Sequence, residues 1–133
     1  MMTQINSTIV NTVASQHSII QLQNDIKRAL AEVMGEASPE TLDEMASIFL
    51  EDAVPLMDQM KEGLNSQNYA SISMAAHALK GSSATIGLST FAHLCLAVET
   101  NSKQEATHLL DNNLAILEAE YAKVQQALRA FLF

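Results

Sequence analysis

Apolar residues recur at steps of three and four along most of this 133-residue chain, which is the period of helices buried on one side. Ile19, Leu22, Ile26, Ala29 or Leu30, and Val33 mark a first helix from Ser18, with Gly35 as its stop. Ser38-Pro39 opens a second, with Ser38 as cap and Pro39 in the first turn. Leu42, Met45, Phe49, Ala53, Leu56, Met60 and Leu64 carry its stripe, and Pro55 predicts a bend within one helix. A third spans Tyr69 to Thr85. Ser89 is placed to cap a fourth, buried through Phe91, Leu94, Cys95 and Val98, which Asn101-Ser102 ends. Ser102 with Glu105 reads as a capping box for a fifth, whose seam is Leu110, Leu114, Leu117, Tyr121, Val124, Leu128 and Phe131. Residues 1–17, polar with scattered Ile5, Ile9, Val10 and Val13, read as a weakly defined tail. The expected fold is all-α: an antiparallel four-helix bundle over residues 18–133, with an additional N-terminal helix as a lid on one end.

The third helix carries one departure from simple packing. At about 100° per residue, Ile72, Ala75, Ala76, Leu79, Ser83 and Ile86 share a core-facing stripe, whereas His77 falls on the opposite, wet face. Around it lie Ser73, Met74, Lys80, Gly81 and Ala84, mostly small or cationic. A histidine needed only for packing would lie on the stripe.

Composition narrows the function. Seven basic against fifteen acidic side chains give a net charge of −8, which disfavours sequence-independent nucleic-acid binding because little positive charge can displace counterions. The lone Cys95 excludes an intrachain disulfide and a cysteine-rich zinc site, and suits a reducing compartment. No apolar run reaches the roughly 18 residues of a membrane span, and residues 1–20 lack the pattern of a signal peptide. A cytoplasmic protein that binds neither membrane nor nucleic acid is expected.

An imidazole on a bare helical face suits phosphoryl chemistry. A phosphohistidine needs a free ring nitrogen, room for the phosphoryl group and close approach of another protein. Lys80, one turn along, can reach a phosphate on His77 and steady its charge. Gly81 costs the helix about 1 kcal/mol relative to alanine and leaves the patch bare. If the third and fourth helices pack antiparallel, Glu99 can accept the Nδ1 proton, fix the tautomer and leave Nε2 as nucleophile. Gly87, at the corner between those helices, would let them approach closely. Ser82 keeps the surface small.

The pattern His77-x-Leu79-Lys80-Gly81-Ser82-Ser83-x-x-x-Gly87, continued by Phe91, Cys95 and Val98-Glu99, resembles the histidine-containing phosphotransfer (HPt) domain of multistep two-component phosphorelays. Phe49 to Pro55 is similar to the preceding helix of that family, and the resemblance covers about residues 38 to 132. It implies that His77 is the phosphoacceptor, Lys80 the phosphate-steadying cation, and Gly81 and Gly87 clearance residues. Glu99 takes a position where the family uses Gln or Glu to hold the ring. Val98 departs from the usual Leu, and residues 1–37 have no counterpart. The implied partners are response-regulator receiver domains and a hybrid sensor histidine kinase. No cofactor is implied beyond Mg²⁺ in the partner receiver.

The remaining candidates are plainer. His17 falls in the tail and His93 on a surface. Glu105-Ala-Thr-His108 has the spacing of a di-metal bundle ligand pair, but such a site needs a second pair and further carboxylates. Cys95 reads as a core residue. No glycine-rich nucleotide loop is present, so autokinase activity is not expected. Two other readings stand beside a phosphocarrier: a receiver- or kinase-binding module that carries no phosphate, and the phosphoacceptor domain of a larger histidine kinase. Met1-Met2 and the closing Phe131 to Phe133 point to a free-standing protein, and the closed core to a monomer.

Overall fold

The computed structural model describes the backbone of residues 2–133 and the side chains of residues 18–133. It holds five helices and, among the described residues, no strand: α1 (Met2–Met34), α2 (Pro39–Ser66), α3 (Tyr69–Thr85), α4 (Ser89–Lys103) and α5 (Thr107–Arg129). Helices α2 to α5 run alternately up and down and close a ring, α2 against α3, α3 against α4, α4 against α5 and α5 against α2. This is the four-helix bundle that the apolar periods predict. No helix among the described residues is long and apolar enough to cross a membrane.

Helix α1 starts upstream of the expected Ser18, and the four-residue spacing of Ile5, Ile9 and Val13 already fits a helical period. Its later turns cover the end of the bundle that holds the α3–α4 corner and the C-terminus of α5. Leu22 and Ile26 are buried there, and Gln23 donates to the Ala127 carbonyl at 3.3 Å. The helix stops at Gly35 (φ 81°), whose amide bonds to the Ala31 carbonyl. The side chain of His17 lies outside the described residues.

Ser38 caps α2 by accepting from the Thr41 amide at 3.3 Å, and the helix runs unbroken across Pro55. Its buried stripe is Leu42, Ala46, Phe49, Ala53, Met57, Met60 and Gly63, so Met45, Leu56 and Leu64 lie half-buried at its edge. Phe91 sits at the bundle centre, with no exposure, edge-on to Phe49 and tilted against Tyr121.

Two expected caps are not present. Ser89 lies inside α4, after the buried Leu88, which occupies the cap position without a side-chain bond. Ser102 also belongs to α4: it is buried and donates to the Glu99 carbonyl at 2.8 Å, not to the start of α5. The chain turns instead through Glu105 in a left-handed conformation (φ 52°), and α5 begins at Thr107. The backbone supplies this turn, with the Ala106 amide bonded to the Asn101 carbonyl at 3.0 Å.

Candidate functional site

Helix α3 buries Ile72, Ala75, Ala76, Leu79 and Ser83, and leaves His77 on its outer face with a side chain 68% exposed. The segment after His77 is rich in residues that weaken helices. Their hydroxyls fold back onto the preceding turn: Ser82 donates to Ala78, Ser83 to Leu79 and Thr85 to Gly81. Each competing donor is thereby absorbed within the helix. Ser82, half-buried, therefore adds neither bulk nor a free hydroxyl to the face around His77.

Gly81 lies one turn beyond His77, and a Cβ built there would meet nothing within 4 Å. The helix surface beside the imidazole is open. Gly87 sits at the expected corner between α3 and α4 but admits a different neighbour. It adopts φ 84°, and a Cβ there would lie 2.8 Å from the Asp25 carbonyl oxygen and 2.7 Å from the Ala29 Cβ. Its close neighbour is α1, not the α3–α4 interface. The glycine seats the covering helix on the corner.

Glu99 comes from the opposite side of the α3–α4 seam, buried with Cys95, Val98 and Ser102, and its side chain is 8% exposed. Both oxygens are occupied. Lys80 donates from Nζ to Oε1 at 2.7 Å, and Oε2 lies 2.9 Å from His77 Nδ1. A third partner, Lys103 at the end of α4, brings its Nζ to 3.4 Å from Oε2. The Lys80 hydrogen bond, helped by His77 and Lys103 against the cost of burial, holds the Glu99 carboxyl down at about 2. It is therefore ionised and has no proton to give. The proton between Oε2 and the ring belongs to Nδ1, and in the neutral imidazole Nε2 keeps its lone pair.

The structure thus brings His77, Lys80 and Glu99 together, sets Gly81 and Ser82 around them, and places Gly87 elsewhere. Lys103 was not foreseen, although its spacing of four from Glu99 on one helix is a visible signal. The other candidates stay apart. His93 and His108 are exposed. Glu105 lies in the α4–α5 turn and not on a helical face with His108. Cys95 is fully buried, and burial pushes its thiol up to about 12, out of reach of thiolate chemistry.

An all-helical bundle that displays an ordered imidazole, backed by a carboxylate and flanked by lysines, defines a class of histidine-presenting modules. Comparison with known proteins gives the family. The Hpt domain family model matches residues 44–127, and the chain belongs to that family. It is also 30% identical over 71 residues to "Histidine-containing phosphotransfer protein 2" of Arabidopsis thaliana. That match takes in 51% of this chain and 46% of the plant protein, so the chain spans about half the length of that relative. No solved structure matches the chain.

Proposed function

We propose that this protein is a phosphorelay intermediate, in which His77 accepts a phosphoryl group from the aspartyl phosphate of one receiver domain and passes it to the aspartate of another. The observation that carries this reading is the bond from Nδ1 to a buried, ionised Glu99 beneath an otherwise exposed ring. Nε2 attacks phosphorus, the P–N bond forms as the P–O bond to the receiver aspartate breaks, and the aspartate leaves as a carboxylate. The ring proton stays on Nδ1, and the positive charge gained by the ring falls against Glu99. For onward transfer a carboxylate oxygen of the second receiver attacks, the P–N bond breaks, and its electron pair returns to Nε2. A ring kept protonated on Nδ1 is the better leaving group, so the same carboxylate serves both directions.

Lys80 steadies the phosphoryl group from one turn along α3, and Gly81 and Ser82 leave room for the receiver. The receiver would supply Mg²⁺ and most of the charge neutralisation. In this reading the chain is a carrier and not an autokinase, works in the cytoplasm, and takes its phosphoryl group from a receiver loaded by a sensor kinase. Docking would centre on the small-residue face around His77 and the exposed Met74, 70% accessible. Met34 of α1 and Ile48 of α2 extend that surface beyond Ser82 and Thr85 as an apolar groove.

The test is label transfer from receiver domains loaded with radiolabelled acetyl phosphate. The wild type is expected to take up label in an acid-labile linkage, and His77→Gln none. Uptake by His77→Gln would dismiss this residue, and binding without uptake by the wild type would favour a non-catalytic module.

A further inference from the structure

Lys103 reaches the site from the far end of α4. Its ammonium lies 3.4 Å from Glu99 Oε2, the oxygen that also accepts from His77, while Lys80 holds the other oxygen at 2.7 Å. One buried carboxylate therefore faces two lysines, one from each helix of the seam. No other charged side chain among the described residues is paired with it.

Formal charge explains the second lysine. With His77 neutral, Glu99, Lys80 and Lys103 together carry one surplus positive charge. A phosphoryl group on Nε2 brings about two negative charges, and the ring, which keeps its Nδ1 proton while Nε2 gives its lone pair to phosphorus, gains one positive charge. The cluster then ends neutral. Without Lys103 it would end as a net anion built around a buried carboxylate, which is the costlier arrangement.

Position matters as much as charge. Lys80 sits on α3 one turn from His77, so a phosphoryl group on the ring competes with Glu99 for its ammonium. Lys103 is 66% exposed on a flexible stem and can close its longer contact without backbone movement. Its place in the last turn of α4 also suits a cation.

We infer that Lys103 is a positioning residue that keeps Glu99 ionised and in place when Lys80 turns toward the phosphoryl group on His77. The inference rests on the phosphocarrier reading, because the phosphoryl group is what draws Lys80 away. Before transfer the two lysines share the carboxylate. After transfer Lys103 holds it, and the ring proton on Nδ1 keeps its acceptor.

The experiment compares full-length Lys103→Ala, Lys103→Arg, Lys80→Ala and the Lys80→Ala/Lys103→Ala double variant. Two readouts are taken: the Glu99 carboxyl titration by carbon NMR, and label uptake from a receiver domain loaded with radiolabelled acetyl phosphate. In Lys103→Ala uptake is expected to slow about threefold, the scale of a partly exposed ion pair, with the amide spectrum otherwise unchanged. Lys103→Arg recovers the rate. In the double variant the Glu99 titration midpoint rises by more than the two single shifts combined, because each lysine covers for the other. A Lys103→Ala variant with wild-type uptake, or a double variant that titrates like Lys80→Ala, would overturn the inference. If the wild type takes up no label, the carrier reading fails. The titration then still decides whether Lys103 holds the carboxylate.

Discussion

Nδ1 of His77 and Oε2 of Glu99 lie 2.9 Å apart although 22 residues and a corner of the chain separate them. The contact joins an exposed ring to a buried charge, so substitutions at Glu99 separate hydrogen bonding from electrostatics. Glu99→Gln keeps an oxygen that can accept from Nδ1 but offers no charge to the ring. Its transfer rate is expected to fall about fivefold, the difference between a charge-assisted and a neutral hydrogen bond. Glu99→Ala loses both and should fall about ten- to a hundredfold. Nitrogen NMR of the His77 ring checks the cause: the tautomer bias survives in Glu99→Gln and disappears in Glu99→Ala.

The same carboxylate gives the protein an acid-sensitive share of its stability. Folding holds the Glu99 carboxyl at about 2, below its ordinary 4.5, chiefly through Lys80. The unfolded chain therefore takes up this proton first as pH falls, and proton uptake pulls the equilibrium toward unfolding. The contribution is whole above pH 4.5, shrinks as pH falls, and is gone below about 2. Urea unfolding of wild type and Glu99→Gln should differ by about 2 kcal/mol at pH 7, less than the whole shift implies because solvent screens the partly exposed lysines, and converge below about pH 2. A difference that does not change with pH would remove ionisation from the explanation.

The two motif glycines should respond in opposite ways to a methyl group. Gly87→Ala must place a Cβ against the Asp25 carbonyl and the Ala29 methyl while holding φ at 84°, and should lose about 2 kcal/mol of stability. Gly81→Ala meets open space in the helix and should gain about 1 kcal/mol. Any slowing of transfer in Gly81→Ala then arises from the partner's approach, since no atom of this chain outside its own turn lies near the added group. Thermal unfolding and label uptake, measured on both variants, separate these effects.

The bundle was legible because its core positions recur at helical spacing, and the outer face of α3 because His77 breaks that spacing. Turns were harder to read. Ser102 and Glu105 have the composition of a capping box, but a buried serine bonded to the carbonyl of Glu99 serves the end of α4 equally well. Sequence spacing cannot distinguish the two uses. Gly87 shows a further limit: its left-handed turn was foreseeable, whereas its contact with Ala29 depends on where a distant helix packs. Lys103 does not stand out in the sequence because only the approach of α3 turns an ordinary i, i+4 pair into part of a site.

Lys80 is the residue whose two tasks can be told apart by chemistry. In the unphosphorylated protein its ammonium is bound to Glu99 at 2.7 Å, so it supports the ring through the carboxylate before it touches any phosphate. Lys80→Ala removes both contributions, and uptake should fall about tenfold or more, as expected when a charge-assisted bond is lost. Lys80→Arg keeps the charge but replaces a compact ammonium with a wide planar fork, which can pair with Glu99 yet crowds the bare face beside His77. It should retain the His77 tautomer of the wild type while recovering only part of the transfer rate. If Lys80→Arg recovers neither, the ammonium's shape matters for holding Glu99. If Lys80→Ala transfers at the wild-type rate, Lys103 alone suffices for the carboxylate and Lys80 has no part in steadying phosphate.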